Sequence, residues 1–324
     1  MRGSASDIQE KIAAGNYNMA DVNARLINML QKPSGKVDAV LDTDAFNEVD
    51  DQFALAYMLR SAEKLNVKAI YAAPFHNHNS DGPADGMEKS YDEIIKLLDL
   101  LNRQDVKPVV FKGSRTYLPD EITFADSPAA RDLAERALEY SPQNPLYVVA
   151  IGAITNVASA IILCPSIIEN IVIVWLGGHS HSWPKTDEFN MKQDVAAARV
   201  VFGSTAAVVQ LPCMGVVSAF HTSGPELEYR LRGKNPVCDY LVDIVLRDSG
   251  PYTENSWSRI IWDVTAVAWL LGEDFTRDIF VPAPLPQYDH HYSFDPTRHL
   301  IKYVYHINRD ALFNDLFKKL TSGN

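Results

Sequence analysis

The stretch Val40–Leu59, VLDTDAFNEVDDQFALAYML, decides the expected fold and carries the densest cluster of acidic residues. Apolar residues from Val37 to Leu41 predict a buried strand, which runs directly into Asp42 and Asp44. A short polar turn follows, and the apolar spacing after Asp50-Asp51 predicts a helix. The stretch is therefore a strand–turn–helix unit with acidic residues at both ends of its turn.

The four carboxylates of this unit repel one another unless a cation gathers them. Asp42 and Asp44 share strand parity, so both can project on the same side of the strand's carboxyl end. Asp50 and Asp51 open the helix, where free N–H groups and the helix dipole favour negative charge. Because every potential ligand is an oxygen, the pattern favours Ca²⁺ or Mg²⁺ over zinc. The plainer interpretation is a solvated acidic turn that caps the helix.

The composition is that of an ordinary globular protein of 324 residues, with 47% hydrophobic and 22% charged residues. Thirty basic and forty-one acidic residues give a net charge of −11, which argues against nucleic acid or an anionic membrane as a partner. Cys164, Cys213 and Cys238 form no Cys-x-x-Cys motif, and they predict reduced thiols in a cytoplasmic protein. No apolar run reaches membrane-spanning length. A neutral small molecule is the kind of partner these numbers permit.

Strand-like and helix-like stretches alternate along most of the chain, and the strands are continuously apolar. This alternation predicts a single α/β domain with a mostly parallel central sheet flanked by helices, over residues 37–324. Residues 1–36 are expected to form an N-terminal helical extension, since Ser6–Gln31 has helical periodicity interrupted near Gly15-Asn16. Ligands of such sheets bind at the carboxyl ends of the strands, where the acidic cluster lies.

Four segments together resemble the nucleoside hydrolases, in particular the inosine/uridine-preferring type. They are the Asp-x-Asp and Asp-Asp pairs of the opening stretch, Val149–Ala158 with its Gly-x-x-Thr-Asn motif, Gly177-Gly178 followed by Glu188-Phe189-Asn190 and Asp194, and Trp262-Asp263. The opening turn, Ala45–Val49, is two residues longer than is usual in that family. The resemblance implies a Rossmann-like α/β fold and hydrolysis of the N-glycosidic bond of ribonucleosides, with a tightly held Ca²⁺.

The resemblance also implies a set of calcium ligands. These are the side chains of Asp44, Asp51 and Asp263 and the backbone carbonyl of Thr155. A carbonyl at a strand-to-helix turn suits this role, because it can lack an intrahelical partner. Thr155-Asn156 is equally well explained as a plain helix cap. Asp44 would in addition take the proton of the attacking water as general base.

By the same resemblance, the ribose hydroxyls would be bound by Asp50, Glu188, Asn190 and Asp263. The loop after the second predicted strand carries His76-Asn77-His78-Asn79, where we expect Asn77 to contact the sugar and His76 to be the second choice. His179 and His181 are lone loop histidines, which are more often simply exposed.

Trp262 stands where many family members have a histidine proposed to protonate the leaving base. The purine-specific inosine-adenosine-guanosine branch likewise has tryptophan there, so we expect Trp262 to stack on a purine, although a purely structural core role also fits its pattern. Family members are commonly dimers or tetramers, and the resemblance therefore implies a homo-oligomer.

Two other functions remain open from the sequence. A Mg²⁺-dependent phosphohydrolase could use Asp42 as a nucleophile, because in phosphatases of the haloacid dehalogenase class a strand also ends in Asp-x-Asp. That class needs a later acidic loop, for which Gly272-Glu273-Asp274 is only a poor match. The second alternative is a catalytically silent nucleoside- or sugar-binding relative, since the opening turn and two sugar contacts depart from the family pattern.

Overall fold

A single twisted sheet forms the centre of the protein. The structure is a computed structural model that describes residues 18–253, 255–272 and 274–322. Eight strands pair in the order β3-β2-β1-β4-β5-β6-β12-β9. In chain order they are β1 (Val37–Thr43), β2 (Leu65–Ala72), β3 (Val110–Lys112), β4 (Leu146–Ala150), β5 (Ile171–Leu176), β6 (Ala207–Leu211), β9 (Thr276–Pro282) and β12 (Leu300–Ile307). All neighbouring pairs are parallel except β12 and β9, which are antiparallel.

Helices cover both faces of the sheet, and each face has its own hydrophobic core. One core includes residues of α1 (Met19–Met29), α2 (Asp51–Leu59), α3 (Pro83–Leu100), α8 (Gly224–Leu231), α9 (Pro236–Ser249), α10 (Val264–Leu271) and α11 (Arg309–Thr321). The other includes residues of α4 (Pro128–Arg136), α5 (Thr155–Leu163), α6 (Phe189–Gln193) and α7 (Val195–Gly203). Two small antiparallel pairs lie outside the sheet, β7 (His221–Thr222) with β8 (Arg259–Ile260) and β10 (Leu285–Pro286) with β11 (Tyr292–Ser293). Among the described residues, no helix combines the length and apolar character needed to cross a bilayer.

The predicted fold class, one α/β domain with a mostly parallel sheet, is confirmed. The sequence predicts strands at Ile171–Leu176 and Ala207–Leu211, and β5 and β6 have these bounds; both are short and buried along their whole length. The antiparallel edge strand β9 was missed. Its burial alternates and is only partial, as expected at the edge of a sheet, so it lacks the continuous apolar run of the inner strands.

Part of the predicted N-terminal extension is described as α1. Its Asn23 side chain accepts a hydrogen bond from the backbone N–H of Leu300 (2.9 Å), at the start of β12. Leu26 is fully buried, and Arg25 donates to the carbonyl of Thr205 (2.9 Å). The helix α1 thus packs on the rest of the domain. The part of the predicted helical extension at residues 6–17 lies outside the described residues. The division at residues 36 and 37 stays a prediction.

The strand order places the acidic stretch at the point where the chain reverses direction across the sheet. From β1 the chain adds β2 and β3 on one side, then returns to add β4, β5 and β6 on the other. Hydrogen bonds continue beyond the strands, from Ile151 N to Asp42 O (2.8 Å) and from Ala73 N to Thr43 O (2.8 Å). The carboxyl ends of β1, β2 and β4 therefore meet, and such switch points are where open α/β sheets bind ligands.

Candidate active site at the carboxyl ends of the strands

Three buried carboxylates come together beside the end of β1. Asp50, Asp51 and Asp263 each offer one oxygen atom, and these atoms lie within 4.8 Å of one another. Asp50 is the N-cap of α2, Asp51 is its first residue, and Asp263 is the N-cap of α10. Two helix amino termini thus point at the cluster, and their dipoles favour the negative charge gathered there.

Asp44 lies fully buried near these three residues. Neither of its carboxylate oxygens has a hydrogen-bond partner within the described part of the chain. Burial, followed by the charges of Asp51, Asp50 and Glu48, raises the pKa of Asp44 well above its ordinary value. Burial and the charges of Asp50 and Asp51 likewise raise the pKa of Asp263. The cluster is therefore unfavourable in its ionised form unless a positive charge joins it.

A divalent cation fits this arrangement. The donor set is four carboxylates, two of whose oxygens have no partner, and oxygen ligands suit Ca²⁺ and Mg²⁺. Burial also raises the pKa of Asp51 to about 7, opposed by a hydrogen bond that its carboxylate accepts from the Thr43 hydroxyl. The side chains that would hold the ion are thus positioned by two strand-to-helix turns remote in sequence.

Asp42 has a different environment from Asp44. Its Oδ1 accepts a hydrogen bond from Asn156 Nδ2 (2.8 Å), and Asn156 Oδ1 accepts from the N–H and the hydroxyl of Ser114 (2.8 and 2.9 Å). Burial raises the pKa of Asp42 to about 7, and the bond from Asn156 lowers it in part. Like Asp44, Asp42 is fully buried, and neither of these two side chains lines the cavity described next.

A cavity of about 240 Å³ opens above the carboxylates. Its lining includes six of the residues that the sequence predicts for binding substrate or metal, namely Asp50, Asp51, Glu188, Asn190, Trp262 and Asp263. The other lining residues are Asn47, Glu48, Ile151, Leu176, His179, Phe189, Cys213 and Met214. The four distant segments singled out in the sequence are therefore brought together around one small-molecule site.

Thr155, predicted as a carbonyl ligand, does not line this cavity. It is the first residue of α5, so its carbonyl points along the helix axis, and its hydroxyl donates to Asp194 Oδ2 (2.7 Å). Ile151, just beyond the end of β4, lines the cavity instead. Its carbonyl accepts a hydrogen bond from Asn190 Nδ2 (3.2 Å). The assignment of the Thr155 carbonyl as a metal ligand stays a prediction.

The predicted sugar contacts of the loop after β2 also lie away from the lining. Asn77 Nδ2 donates to Asn47 Oδ1 (2.6 Å), and it is Asn47 that borders the cavity. His76 is exposed, and its backbone N–H donates to Gln193 Oε1 (2.7 Å). The signal that could have found Asn47 is the turn Ala45–Val49, because two additional residues in that turn bring more side chains to the cavity.

Glu188 and Asn190 hold the other side of the cavity together. Glu188 accepts hydrogen bonds from the backbone N–H groups of Asn190 (2.8 Å), Met191 (2.9 Å) and Gly178 (2.8 Å). Asn190 Nδ2 donates to the carbonyls of Leu176 (3.0 Å) and Ile151. These bonds tie the ends of β4 and β5 to the start of α6, and they leave Asn190 Oδ1 as an acceptor toward the cavity.

Of the two loop histidines, His179 reaches the cavity and His181 does not. His179 Nδ1 accepts from the backbone N–H of Met214 (3.3 Å), so the ring proton sits on Nε2, 4.0 Å from Asp187 Oδ1. Burial lowers the pKa of His179, which favours the neutral ring. His181 instead pairs with Gln210 Oε1 (2.9 Å) and packs against Tyr303 at a ring-centroid distance of 4.3 Å.

The fold and this acidic, partly aromatic cavity together define a metal-dependent hydrolase site, and comparison with known proteins gives the family. Residues 39–286 match the model of the inosine-uridine preferring nucleoside hydrolases. That match spans more than half of the chain, so the protein belongs to this family. Members of the family hydrolyse the N-glycosidic bond of ribonucleosides and depend on a metal, and the chain is an enzyme of this class, an N-ribohydrolase. The resemblance read from the four sequence segments is thereby confirmed.

Individual relatives differ in their preferred base. The chain is 28% identical over 256 residues to the pyrimidine-specific ribonucleoside hydrolase RihA of Klebsiella pneumoniae (strain 342), covering 71% of this chain and 78% of that one. A plant nucleoside hydrolase, the PpNRh1 enzyme, has a TM-score of 0.69 at 18% identity, with 89% of this chain and 99% of that chain covered. A purine-preferring ribonucleoside hydrolase from Gardnerella vaginalis has a TM-score of 0.67 at 20% identity, with 88% and 98% covered. The two structural likenesses support the fold.

Proposed function

We propose that the protein hydrolyses ribonucleosides with a bound Ca²⁺ and prefers purine bases. The observation that carries the proposal is Asp44, whose two buried oxygens have no partner within the described residues and lie beside Asp50, Asp51 and Asp263. A cavity bordered by Trp262 opens over this cluster. A cation site below and an aromatic wall beside the same cavity are what N-glycosidic hydrolysis of a nucleoside requires.

In this proposal Asp44, Asp51 and Asp263 hold the ion, with one backbone carbonyl. The family resemblance assigns that carbonyl to Thr155, the first residue of α5. When bound, the cation would acidify and orient the water that attacks the anomeric carbon. The carboxylates keep the ion close to the site because hard-cation affinity rises with the number of charged ligands.

Asp44 would accept the proton of the attacking water. Burial and the neighbouring carboxylates raise its pKa in the metal-free protein, and as a ligand of the ion it would stand next to the water that the ion orients. Gly152 leaves the space that Asp44 occupies, since any side chain there would contact the carboxyl group. The base is therefore held in one place by the packing of two adjacent strand ends.

The ribose would be bound by side-chain oxygens that accept hydrogen bonds from its hydroxyl groups. Asp50, Asp263 and Glu188 line the cavity as carboxylates, and Asn190 offers its Oδ1. Ribose hydroxyls donate to such groups. Negative charge around the sugar also favours a flattened, cation-like ribosyl transition state over the neutral ground state.

The purine preference rests on Trp262 and on the neutral His179. An aromatic pair contributes about 0.5–1.5 kcal/mol beyond burial of area, and a purine offers a larger face than a pyrimidine. His179 Nε2–H would be a hydrogen-bond donor near the departing base. RihA of Klebsiella is pyrimidine-specific and the Gardnerella enzyme is purine-preferring, so family membership by itself does not give the base preference.

Metal dependence is tested by elemental analysis of the purified protein and by reducing-sugar release from a nucleoside panel. We expect stoichiometric calcium, loss of turnover on chelation and its return with Ca²⁺. Asp51→Asn and Asp263→Asn should each abolish both binding and turnover, because each removes a charged ligand. Stoichiometric zinc, or full activity after complete chelation, would contradict the metal assignment. Tight ribose binding without turnover of any nucleoside would identify a catalytically silent relative.

The base preference is tested by comparing inosine and guanosine with uridine. We expect higher kcat/KM for the purines, and we expect Trp262→Ala to lose most of that difference. Trp257→Ala is the control, since Trp257 is half buried outside the cavity lining and donates to Gly250 O (3.0 Å). Unchanged purine-to-uridine ratios in Trp262→Ala would mean that this indole only packs.

Two broader expectations complete the proposal. A homo-oligomer, dimer or tetramer, follows from the family resemblance, and light scattering in solution measures it. A cytoplasmic location follows from the cysteine pattern, with Cys213 and Cys238 buried as free thiols. Fractionation of the source cells measures that location.

A further inference from the structure

We propose that Asn47 donates a hydrogen bond to a ribose hydroxyl oxygen, and that Asn77 is the positioning residue that aims it. The inference deepens the nucleoside hydrolase function proposed above and rests on it. It assigns a sugar contact to a turn residue that the sequence reading passed over, and it gives Asn77 an indirect role instead of a direct one.

Asn47 is fixed next to the acidic cluster. It lies in the turn between β1 and α2, its backbone N–H donates to Asp44 O (2.7 Å), and it is 6% exposed at the cavity wall. The turn is held from inside by Gln52 Nε2, which donates to Ala45 O (2.7 Å). Arg259 holds it from outside through Glu48 Oε2 (2.7 Å). A side chain on this turn is therefore pre-positioned before substrate arrives.

A chain of three asparagines determines which way the Asn47 amide faces. The backbone N–H of Asn79 can only donate, and it bonds to Asn77 Oδ1 (2.8 Å). Asn77 must then present its Nδ2 to Asn47, where it meets Oδ1 at 2.6 Å. Asn79 Nδ2 also donates to Asn47 O (2.9 Å), which steadies the backbone. The oxygen of the Asn47 amide is thus used, and its NH₂ group is the part left for a ligand.

The NH₂ group of Asn47 has no acceptor among the described residues, although its side chain borders the cavity. Most polar groups around it are carboxylates, namely Glu48, Asp50, Asp51, Glu188 and Asp263, which accept when ionised. The NH₂ group of Asn190 already donates hydrogen bonds to two backbone carbonyls. A sugar hydroxyl both donates and accepts, so a carboxylate can take its proton while Asn47 supplies the complementary N–H.

The test uses Asn47→Asp, which keeps the acceptor that Asn77 needs and replaces the donor by an oxygen. Substrates are inosine and its 2′-, 3′- and 5′-deoxy analogues with the calcium-loaded enzyme. We expect kcat/KM for inosine to fall by about tenfold or more. For the one analogue that lacks the partner hydroxyl, the fall relative to wild type should be much smaller. Asn47→Ala, which adds no charge, should show the same dependence on the substrate.

Asn77→Asp tests the positioning role. An oxygen in place of Asn77 Nδ2 would repel Asn47 Oδ1 and favour a flipped Asn47 amide that turns its oxygen to the cavity. We expect the same substrate-dependent loss as for Asn47→Asp, although Asn77 does not line the cavity. Asn66→Ala is the matched control, because Asn66 is exposed on β2 and its side chain donates to Asp38 Oδ1 (2.7 Å), away from the cavity lining.

Equal losses on all four substrates, or no loss at all, would overturn the inference. Titration calorimetry of ribose into the calcium-loaded protein gives a second readout that does not need turnover. Weaker ribose binding by Asn47→Ala than by wild type and by Asn66→Ala supports the contact, and equal affinities refute it. Failure of the wild type to cleave any nucleoside would contradict the proposed function alone, since the ribose titration still decides the role of Asn47.

Discussion

At the scale of single residues, Gly152 sets the position of the proposed general base. It follows β4, whose Ala150 pairs with Asp42 on β1. A Cβ at position 152 would lie 3.0 Å from Asp44 Cγ and 3.2 Å from Ala73 Cβ. The strand pairing fixes both backbones, so neither neighbour can withdraw without disturbing the sheet. The missing side chain is therefore what allows a buried carboxylate at this point.

Gly152→Ala should consequently damage the site more than the fold. The added methyl group would push the Asp44 carboxyl by a few tenths of an ångström, and we expect calcium affinity and kcat/KM to fall by about 10- to 100-fold. Gly203→Ala is the matched control, because a Cβ there meets no atom within 4 Å at the end of α7. Calcium titration and inosine kinetics measure the effect. Equal behaviour of the two variants would contradict it.

At the scale of elements, α1 is an integral part of the described domain. Its buried side chains, Val22, Leu26 and Met29, join the core on one face of the sheet. Arg25 donates to the carbonyls of Ile168 (3.3 Å) and Thr205 (2.9 Å), which links the helix to segments more than 140 residues away. The helix thus stabilises the side of the sheet where β12 meets β6.

Truncation of the α1 core residue should therefore cost global stability. Leu26 is fully buried, and we expect Leu26→Ala to lower the free energy of unfolding by about 2–5 kcal/mol. Ile27, its neighbour, is 39% exposed, so Ile27→Ala should change that free energy by only about 0.5 kcal/mol. Urea unfolding followed by circular dichroism gives both values. A small loss for Leu26→Ala would mean that α1 is only loosely attached.

At the scale of the whole molecule, the fold of the parallel sheet buries several carboxyl groups close together, and burial disfavours their charged forms. Burial raises the pKa of Asp42 and of Asp51 to about 7, against an unperturbed value of 3.8. Between pH 3.8 and about pH 7, the carboxyl groups of Asp42 and Asp51 have lost their protons in the unfolded chain, whereas they are protonated in the metal-free folded state. Its stability must then fall as pH rises through about 7, because the folded state binds more protons than the unfolded one.

Calcium should reverse this trend, since it binds the deprotonated carboxylates. We expect the Tm of chelated protein to fall from pH 6 to pH 8, and the gain in Tm on adding Ca²⁺ to grow over the same range. Asp263→Asn removes one of the repelling charges and should flatten the profile of the chelated protein. Thermal scans in the two conditions measure both slopes. A chelated protein that gains stability from pH 6 to pH 8 would contradict the prediction.

Local patterns in the sequence were sufficient for the fold class, and with the family resemblance they gave six of the fourteen residues that line the cavity. Continuous apolar runs alternate with helical periodicity, and a short strand such as Ile171–Leu176 is recognisable in the sequence because each of its residues is apolar. Asp50 and Asp51 were predictable from their place at the start of a helix after β1, whereas Glu188 and Asp263 were predictable through the family resemblance of the motifs around them. The chemistry of these residues is thus encoded within a few positions of each one.

Tertiary structure alone decided which atoms of the loops meet the cavity. Asn47 lines the cavity and Asn77 does not; Asn77 instead contacts Asn47 through a side-chain hydrogen bond that joins residues 30 positions apart in the sequence. Ile151, just beyond the end of β4, borders the cavity, whereas Thr155 at the start of α5 is buried and donates its hydroxyl to Asp194 Oδ2. Side-chain directions at helix starts follow from the local backbone, whereas those in loops depend on partners that only the folded chain supplies.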